Sequence, residues 1–277
     1  MSVMTQTAAA LARLKAFIDA KTGKASADLT AAVGNLSKQA DDAVEVGKQA
    51  AYDAFWDEYQ QNGTRKMYAG AFSGLGWTEK TFKPKYRITP AGTTGAENVF
   101  NTFNRVTTDR DPTNETLFDF SPYKDMVDFS GATMVNGAFM NARVKNVFLN
   151  LENATSATNI FNMNNGGQVD GITMRVTNKT TGMNGAFSNA YLLVEFRFTE
   201  DSEIVATLSF QHSTKLSKDS ILSIWNALST TTGKTVTFSK TAVNSAFETS
   251  AGANDGSTSA EWLALIGTKT NWTVSLV

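Results

Sequence analysis

Histidine, cysteine and paired carboxylates carry most protein chemistry near neutral pH, and this sequence is sparing with the first two. His212, in Ser209-Phe210-Gln211-His212-Ser213-Thr214, is the only histidine, and there is no cysteine. One imidazole without thiolates does not assemble the common zinc sets, and no His-Glu-x-x-His is present. There is no Gly-x-Ser-x-Gly, so a Ser–His–Asp triad would have to recruit His212 without any local signature. His212 reads as a turn or surface residue. The carboxylates Asp109, Asp111, Glu115, Asp119, Asp125 and Asp128 are scattered. A glycosidase-type pair arises only if folding brings two of them together. Asp109-Arg110-Asp111-Pro112-Thr113-Asn114-Glu115 lacks the alternating oxygen ligands of a calcium loop and reads as a solvated loop. No catalytic, cofactor-binding or metal-binding residue is assigned, no cofactor is expected, and the chain is not expected to be an enzyme.

Recognition has a better basis than catalysis. Apolar residues alternate at Val147-x-Leu149-x-Leu151, Ile172-x-Met174-x-Val176, Val194-x-Phe196-x-Phe198, Ala206-x-Leu208-x-Phe210, Val236-x-Phe238 and Val274-x-Leu276. Alternation gives each strand one buried and one exposed face. The exposed positions are Asn146, Phe148 and Asn150, then Thr173, Arg175 and Thr177, then Glu195, Arg197 and Thr199, then Thr207, Ser209 and Gln211. The first eight of these, Asn146 to Arg197, form the candidate binding surface. It is a polar, hydrogen-bonding face with one aromatic platform, Phe148, suited to a glycan or a protein surface.

What positions these strands is a repeated phrase. Asn136-Gly137-Ala138-Phe139 and Asn184-Gly185-Ala186-Phe187 recur 48 residues apart, and Asn98-Val99-Phe100 and Asn159-Ile160-Phe161 echo them. Asn-Gly turns the chain and the phenylalanine goes to the core. Phe139 to Phe161 and Phe161 to Phe187 are 22 and 26 residues, with Asn164-Asn165-Gly166-Gly167 lengthening the second interval. A period in the low twenties with one short strand per unit is the arithmetic of a solenoid. Farther on, Ser217 is a candidate N-cap for a helix bearing Ile221, Leu222, Ile224, Trp225 and Leu228. A short helix over Ser239–Ser250 and a capping box at Thr258–Glu261 precede a final strand, and this last helix–strand pair is expected to cap the stack.

The N-terminal residues are helical. One helix is expected to weaken at Gly23 and a second to run from about Ser26 to Gln61. In the second, Leu29, Leu36, Ala43 and Ala50 recur every seven residues, and Val33, Ala40, Gly47 and Ala54 repeat that interval four residues later. This is a heptad seam for self-association. Tyr52, Phe55, Trp56 and Tyr59 make an aromatic docking face at its end. Residues 63–95 hold Pro84, Pro90 and the turn Phe72-Ser73-Gly74-Leu75-Gly76-Trp77, and read as a connector.

Composition bounds the rest. The 277 residues are 42% hydrophobic, enough for a packed core. Lys+Arg 25 against Asp+Glu 26 argues against a nucleic-acid partner, which calls for a net basic field. Apolar runs are too short for a bilayer-spanning helix, so no membrane insertion is expected. The N-terminal stretch MSVMTQTAAALARLKAF has no secretory signal pattern, which makes lysis the expected route out of a cell.

The phrases VNGAFMNARVKNVFLNL and GMNGAFSNAYLLVEFRF resemble the BspA-type, or Treponema-type, leucine-rich repeats of bacterial surface proteins, over about residues 96–215. The sequence departs in having Phe, Met and Val where that family often has Leu and Ile, and in lacking its cysteine. The segments AAYDAFWDEYQQNG and LSKDSILSIWNALSTTTGKTVTFSK onward look like parts of repeat proteins encoded by phages and prophages of gut bacteria. That resemblance implies a virion tail-fibre, baseplate or head-fibre component, assembled in the host cytoplasm and released by lysis. The expected fold is α+β: a helical oligomerisation and attachment region (1–62), a connector (63–95), a leucine-rich-repeat-like β-solenoid (96–215), and helix–strand units with a cap (216–277). The expected partners are the chain itself as a homotrimer, other virion structural proteins, and a host surface glycan or protein. A bacterial adhesin and a polysaccharide-degrading appendage enzyme are the alternatives.

Overall fold

The structure, a computed structural model, describes residues 3–61, isolated positions between 72 and 89, and residues 96–104, 117–164, 166–249 and 255–277. The chain divides into two compact units, Met1–Gln61 and Asn62–Val277.

The first unit is a single helix, α1 (Val3–Gln61). At 1.5 Å per residue it is about 88 Å long. The expected break at Gly23 does not occur. A glycine inside a helix costs only about 1 kcal/mol relative to alanine, and side-chain contacts flank this one on both sides. Thr22 Oγ1 donates to the Ile18 carbonyl, and Lys24 pairs with Asp28 at 3.7 Å. Continuity has a geometric consequence. Ile18 and Leu29 are eleven residues apart, close to three full turns, so the apolar stripe of Leu11, Leu14 and Ile18 runs on into the Leu29–Val33–Leu36 seam. All six side chains are exposed. Of the aromatic docking face, Tyr52 is half-buried, while the side chains of Phe55, Trp56 and Tyr59 lie outside the described residues.

The second unit is organised by phenylalanine. Phe72, Phe100, Phe139, Phe161, Phe187, Phe210 and Phe238 form one column of stacked rings. Successive centroids are 4.5–6.3 Å apart and successive planes lie within 11–20° of parallel. All seven are fully buried. The turns that feed the column hold left-handed residues in alternation: Asn98 (φ 52°), Gly137 (62°), Asn159 (55°) and Gly185 (64°). The alternation is steric. A Cβ on Gly137 would lie 2.4 Å from Asn98 Oδ1, and one on Gly185 would lie 2.3 Å from Asn159 Oδ1. Glycine is therefore required wherever the preceding turn presents an asparagine side chain.

Among the described residues, seven parallel strands flank the column. β1 (Phe118–Asp119), β2 (Arg143–Leu151), β3 (Gln168–Val176) and β4 (Phe196–Phe198) form one sheet in chain order. β5 (Leu208–Phe210), β6 (Thr235–Phe238) and β7 (Thr273–Leu276) form another. Between them come the helices α2 (Lys218–Ala227), α3 (Lys240–Ala246) and α4 (Ala260–Gly267). Ser217 caps α2 as expected, accepting from the Ser220 N–H. Ser259, one residue later than the expected Thr258, caps α4 by accepting from the Trp262 N–H. In the last pair Leu263 is exposed and Val274 and Leu276 are half-buried, less covered than the apolar residues of the inner strands.

The leucine-rich-repeat-like β-solenoid expected over 96–215 is corrected. Its strands do not run as one ladder, because β4 and β5 are not paired. The spacing of paired residues also changes along the chain. Val144 faces Val169 and Ile172 faces Phe196, whereas Leu208 faces Val236 and Val236 faces Val274. The core column is phenylalanine, without a leucine ladder. The physical cause of the interruption is α2. The Phe196 N–H donates to Ser220 Oγ and the Phe198 N–H to Ser223 Oγ, both at 2.9 Å. The same hydroxyls donate to the carbonyls of Val194 (3.1 Å) and Phe198 (3.3 Å). Two serines one helical turn apart thus take the place of the next strand and close the edge of the first sheet.

Candidate functional site

The exposed face of β2, β3 and β4 is where the candidate surface falls, and the structure divides its eight residues into two groups. One group is committed internally. Asn146 has a positive φ (56°) and sits, like Gly171 (62°), at an interruption in the register between Lys145↔Asp170 and Val147↔Ile172. This is a stacked pair of bulges. Asn146 Nδ2 donates to Asp119 Oδ1 at 3.0 Å, and its Oδ1 lies 2.5 Å from where a Gly171 Cβ would be. The next bulge is satisfied by Asp170, whose Oδ1 accepts from the N–H groups of Gly171 (2.8 Å), Val194 (2.9 Å) and Glu195 (3.0 Å). Asn146 is therefore a spacer of the fold.

Arg175, Asn150 and Thr177 are committed as well. The Arg175 guanidinium bonds Asp201 at 2.5 Å through Nε, and Glu152 and Asn150 through Nη1. Thr177 Oγ1 donates to the Glu152 carbonyl at 3.1 Å. Hydrogen bonds to Asp201 and then Glu152 raise the Arg175 pKa further above its ordinary value. The Thr199 hydroxyl and Arg175 together hold the Asp201 carboxyl below the ordinary range. This clamp ties three successive turns together and leaves no donor fork for a ligand.

The other group is open. Phe148, Thr173 and Arg197 lie in register across β2, β3 and β4. With Ser121, Lys124, Asn146, Gly171 and Glu195 they line a groove of about 320 Å³. Phe148 is 40% exposed, the one large apolar side chain of β1–β4 that reaches solvent to this extent. Among the described residues, the side chains of Lys124, Thr173, Glu195 and Arg197 have no hydrogen-bond or ion-pair partner. The groove thus offers an aromatic face, two hydroxyls, two cations and one carboxylate. That combination suits a hydroxyl-rich, weakly anionic surface: the ring stacks on apolar ring faces, and the guanidinium donates in a planar fork. Ser121 and Lys124 follow the two-residue strand β1, whose shortness left no alternation in the sequence to announce it.

A neighbouring groove of about 380 Å³ shares Arg197 and is lined by Glu200, Asp219, Leu222, Ser223 and Asn226, between β4 and α2. Of the scattered carboxylates, Asp119 and Asp128 serve turns. Asp119 accepts from the Ser121 N–H at 2.8 Å, and Asp128 from the Ser130 N–H at 2.9 Å. Asp109, Asp111 and Glu115, with the whole 109–115 loop, lie outside the described residues, as does most of the 63–95 connector. His212 is half-buried in the turn after β5. Its Nδ1 accepts the Asn189 N–H at 3.0 Å, where the earlier turn uses a backbone carbonyl, Asn162 O, for Asn141 N–H. Among the described residues no group of three or more His, Cys, Asp or Glu is placed to hold a metal ion, and no helix is long and apolar enough to cross a membrane. No family model, curated protein or solved structure matches the chain.

Proposed function

We propose that the chain is a non-catalytic structural component of a bacteriophage particle, an appendage protein of the tail-fibre, baseplate or head-fibre type. It self-associates through α1 as a homotrimer, joins other virion proteins, and contacts the host surface through the Phe148–Thr173–Arg197 groove. One observation carries the reading. α1 keeps Leu29, Val33 and Leu36 at heptad spacing with 66%, 58% and 66% of their surfaces exposed. Burying one such side chain is worth about 1.5–3 kcal/mol, and a seam of this kind is covered by copies of itself in a coiled coil. The resemblance of the flanking segments to phage-encoded repeat proteins supplies the particle.

The experiment has two arms. The full-length chain is weighed in solution by light scattering, beside the double variant Leu29→Lys/Leu36→Lys, and antibody-labelled chain is sought in purified particles by electron microscopy. A trimer that the double variant converts to monomer, with label on particles, supports the reading. A monomeric parent chain overturns the assembly role. Label on bacterial surfaces and none on particles favours the adhesin instead. Polysaccharide cleavage that Asp219→Asn abolishes favours the hydrolase, because Glu200 and Asp219 line one groove.

A further inference from the structure

The two copies of Asn-Gly-Ala-Phe share a backbone and differ in what surrounds them. Gly137 and Gly185 have φ of 62° and 64°, and Phe139 and Phe187 both enter the column. At the first copy everything is held. Asn136 Oδ1 accepts from the Ser156 hydroxyl (2.6 Å) and the Thr158 N–H (3.0 Å), and Nδ2 donates to Glu97 (3.3 Å). The Gly137 N–H donates to the Thr158 carbonyl at 2.9 Å, and Gly137 is buried.

At the second copy Asn184 is exposed. Among the described residues, neither its side-chain amide nor the Gly185 N–H has a hydrogen-bond partner. The cause is position in the stack. The row of bridges Met134↔Ser156↔Gly182 ends at the second copy: the next turn reaches Phe187 and Asn189, through Phe210 and His212, but hydrogen-bonds neither the Asn184 side chain nor the Gly185 N–H. Its backbone carbonyls are held by the preceding turn, with the Asn159 N–H donating to the Asn184 carbonyl at 3.0 Å and the Phe161 N–H to the Ala186 carbonyl at 2.8 Å.

An asparagine followed by glycine sets an electrophilic amide carbon beside a backbone nitrogen that no side chain shields. We propose that Asn184 is a site of spontaneous covalent modification, deamidating through a cyclic imide, while the fold protects Asn136 in the same tetrapeptide. Solvent base removes the Gly185 N–H proton and the nitrogen attacks Asn184 Cγ. The new N–Cγ bond forms, the Cγ–Nδ2 bond breaks, and the amide nitrogen leaves as ammonia, taking its proton from water. Water then adds to one of the two imide carbonyls. One opening gives aspartate, and the other gives isoaspartate, with the main chain rerouted through the former side chain. No electrons are exchanged with any other group. At Asn136 the same path first requires the hydrogen bonds on Oδ1 and on the Gly137 N–H to break. The product places a new carboxylate on the last turn of the row, and the isoaspartate form lengthens the backbone where Asn159 is bonded.

The full-length chain is incubated at mildly alkaline pH, folded and in denaturant, then digested and mapped by mass spectrometry with isoaspartate resolved. In the folded chain Asn184 converts at least about tenfold faster than Asn136, equivalent to about 1.4 kcal/mol and in keeping with the loss of one or two hydrogen bonds. In denaturant the two rates converge. Ser156→Ala raises the Asn136 rate and leaves Asn184 unchanged. Equal rates in the folded chain, an intact Asn184, or a difference that persists in denaturant overturns the proposal. The Asn-Gly pairs at 62–63 and 165–166 fall in peptides of their own and are read separately.

Discussion

The helix α1 and the phenylalanine column use large apolar residues at regular intervals to opposite ends. Leu29, Val33 and Leu36 recur with a heptad period and stay exposed, whereas Phe100, Phe139 and Phe161 recur with a longer period and are fully buried. The difference is whether the chain carries its own partner. Each ring of the column meets a ring from the next turn of the same chain, so the second unit closes on itself. A lone helix cannot do this, so its stripe is left exposed. Regular apolar spacing therefore predicts that a face will be covered, while the element's neighbours decide by what.

The sharpest way to break that contrast is to empty one position of the column. Phe139 stacks on Phe100 at 4.9 Å and on Phe161 at 5.3 Å. Phe139→Ala is expected to cost about 3–5 kcal/mol, read as a lower denaturant midpoint of the second unit with the helical signal of α1 retained. A loss below about 1 kcal/mol, within the ordinary range for a single substitution, would mean that the rings are not the core. In α1, Leu36→Lys is expected to lower the mass of the proposed self-assembly and leave the second unit's midpoint unchanged.

A smaller effect tests what ends the first sheet. Ser220→Ala and Ser223→Ala each strip the partner from an N–H of β4, and an unsatisfied buried donor costs about 1–3 kcal/mol. Serines on α1 such as Ser26 and Ser37 are exposed, and their replacement is expected to stay within about 0.5 kcal/mol. If Ser220 and Ser223 of α2 behave like the serines of α1, the edge is closed by something other than their hydroxyls.

These serines also mark where the sequence stopped being legible. Strand alternation located β2 to β7, and the Asn-Gly-Ala-Phe phrase correctly placed a turn followed by a core phenylalanine. The single ladder was wrong, because the helix was legible only by its cap and its apolar spacing, which say nothing of Ser220 and Ser223. Their use as a surrogate strand depends on packing that no local period encodes. The candidate surface was half legible for the same reason. Alternation shows which side chains leave the core, and so it found Phe148 and Arg197. It does not show which of them meet Asp119, Glu152 or Asp201 once the turns stack, and so it also included Asn146 and Arg175. Gly23 misled in the opposite direction: a residue that often ends helices sits inside α1, between the Thr22–Ile18 bond on one side and the Lys24–Asp28 pair on the other.

The smallest expected effect is the acid dependence that two turn carboxylates give the second unit. Partial burial opposes the ionisation of Asp119, but hydrogen bonds from Ser121 and Asn146, with the charge of Lys145, outweigh it and hold the pKa below the ordinary value. Asp128 follows the same pattern: burial is outweighed by Ser130 and the charge of Arg87, whose Nη2 lies 3.4 Å from Oδ2. A carboxyl whose folded pKa lies below its unfolded value of about 3.9 binds its proton more readily in the unfolded chain. Its stabilising contribution is therefore complete above the unfolded pKa and disappears as pH falls through the folded one. The urea midpoint of the second unit is expected to fall with acidification below about pH 4, and Asp119→Asn with Asp128→Asn to flatten that fall. Because Asp119 also bonds Asn146, its replacement should loosen the bulge that seats the groove, and Arg87→Gln, whose guanidinium meets Asp128 and the Asp125 carbonyl but not Asp119, separates the charge contribution from that geometric one. An acid slope that the double variant leaves unchanged would assign the dependence to other carboxylates and remove Asp119 from the support of the groove.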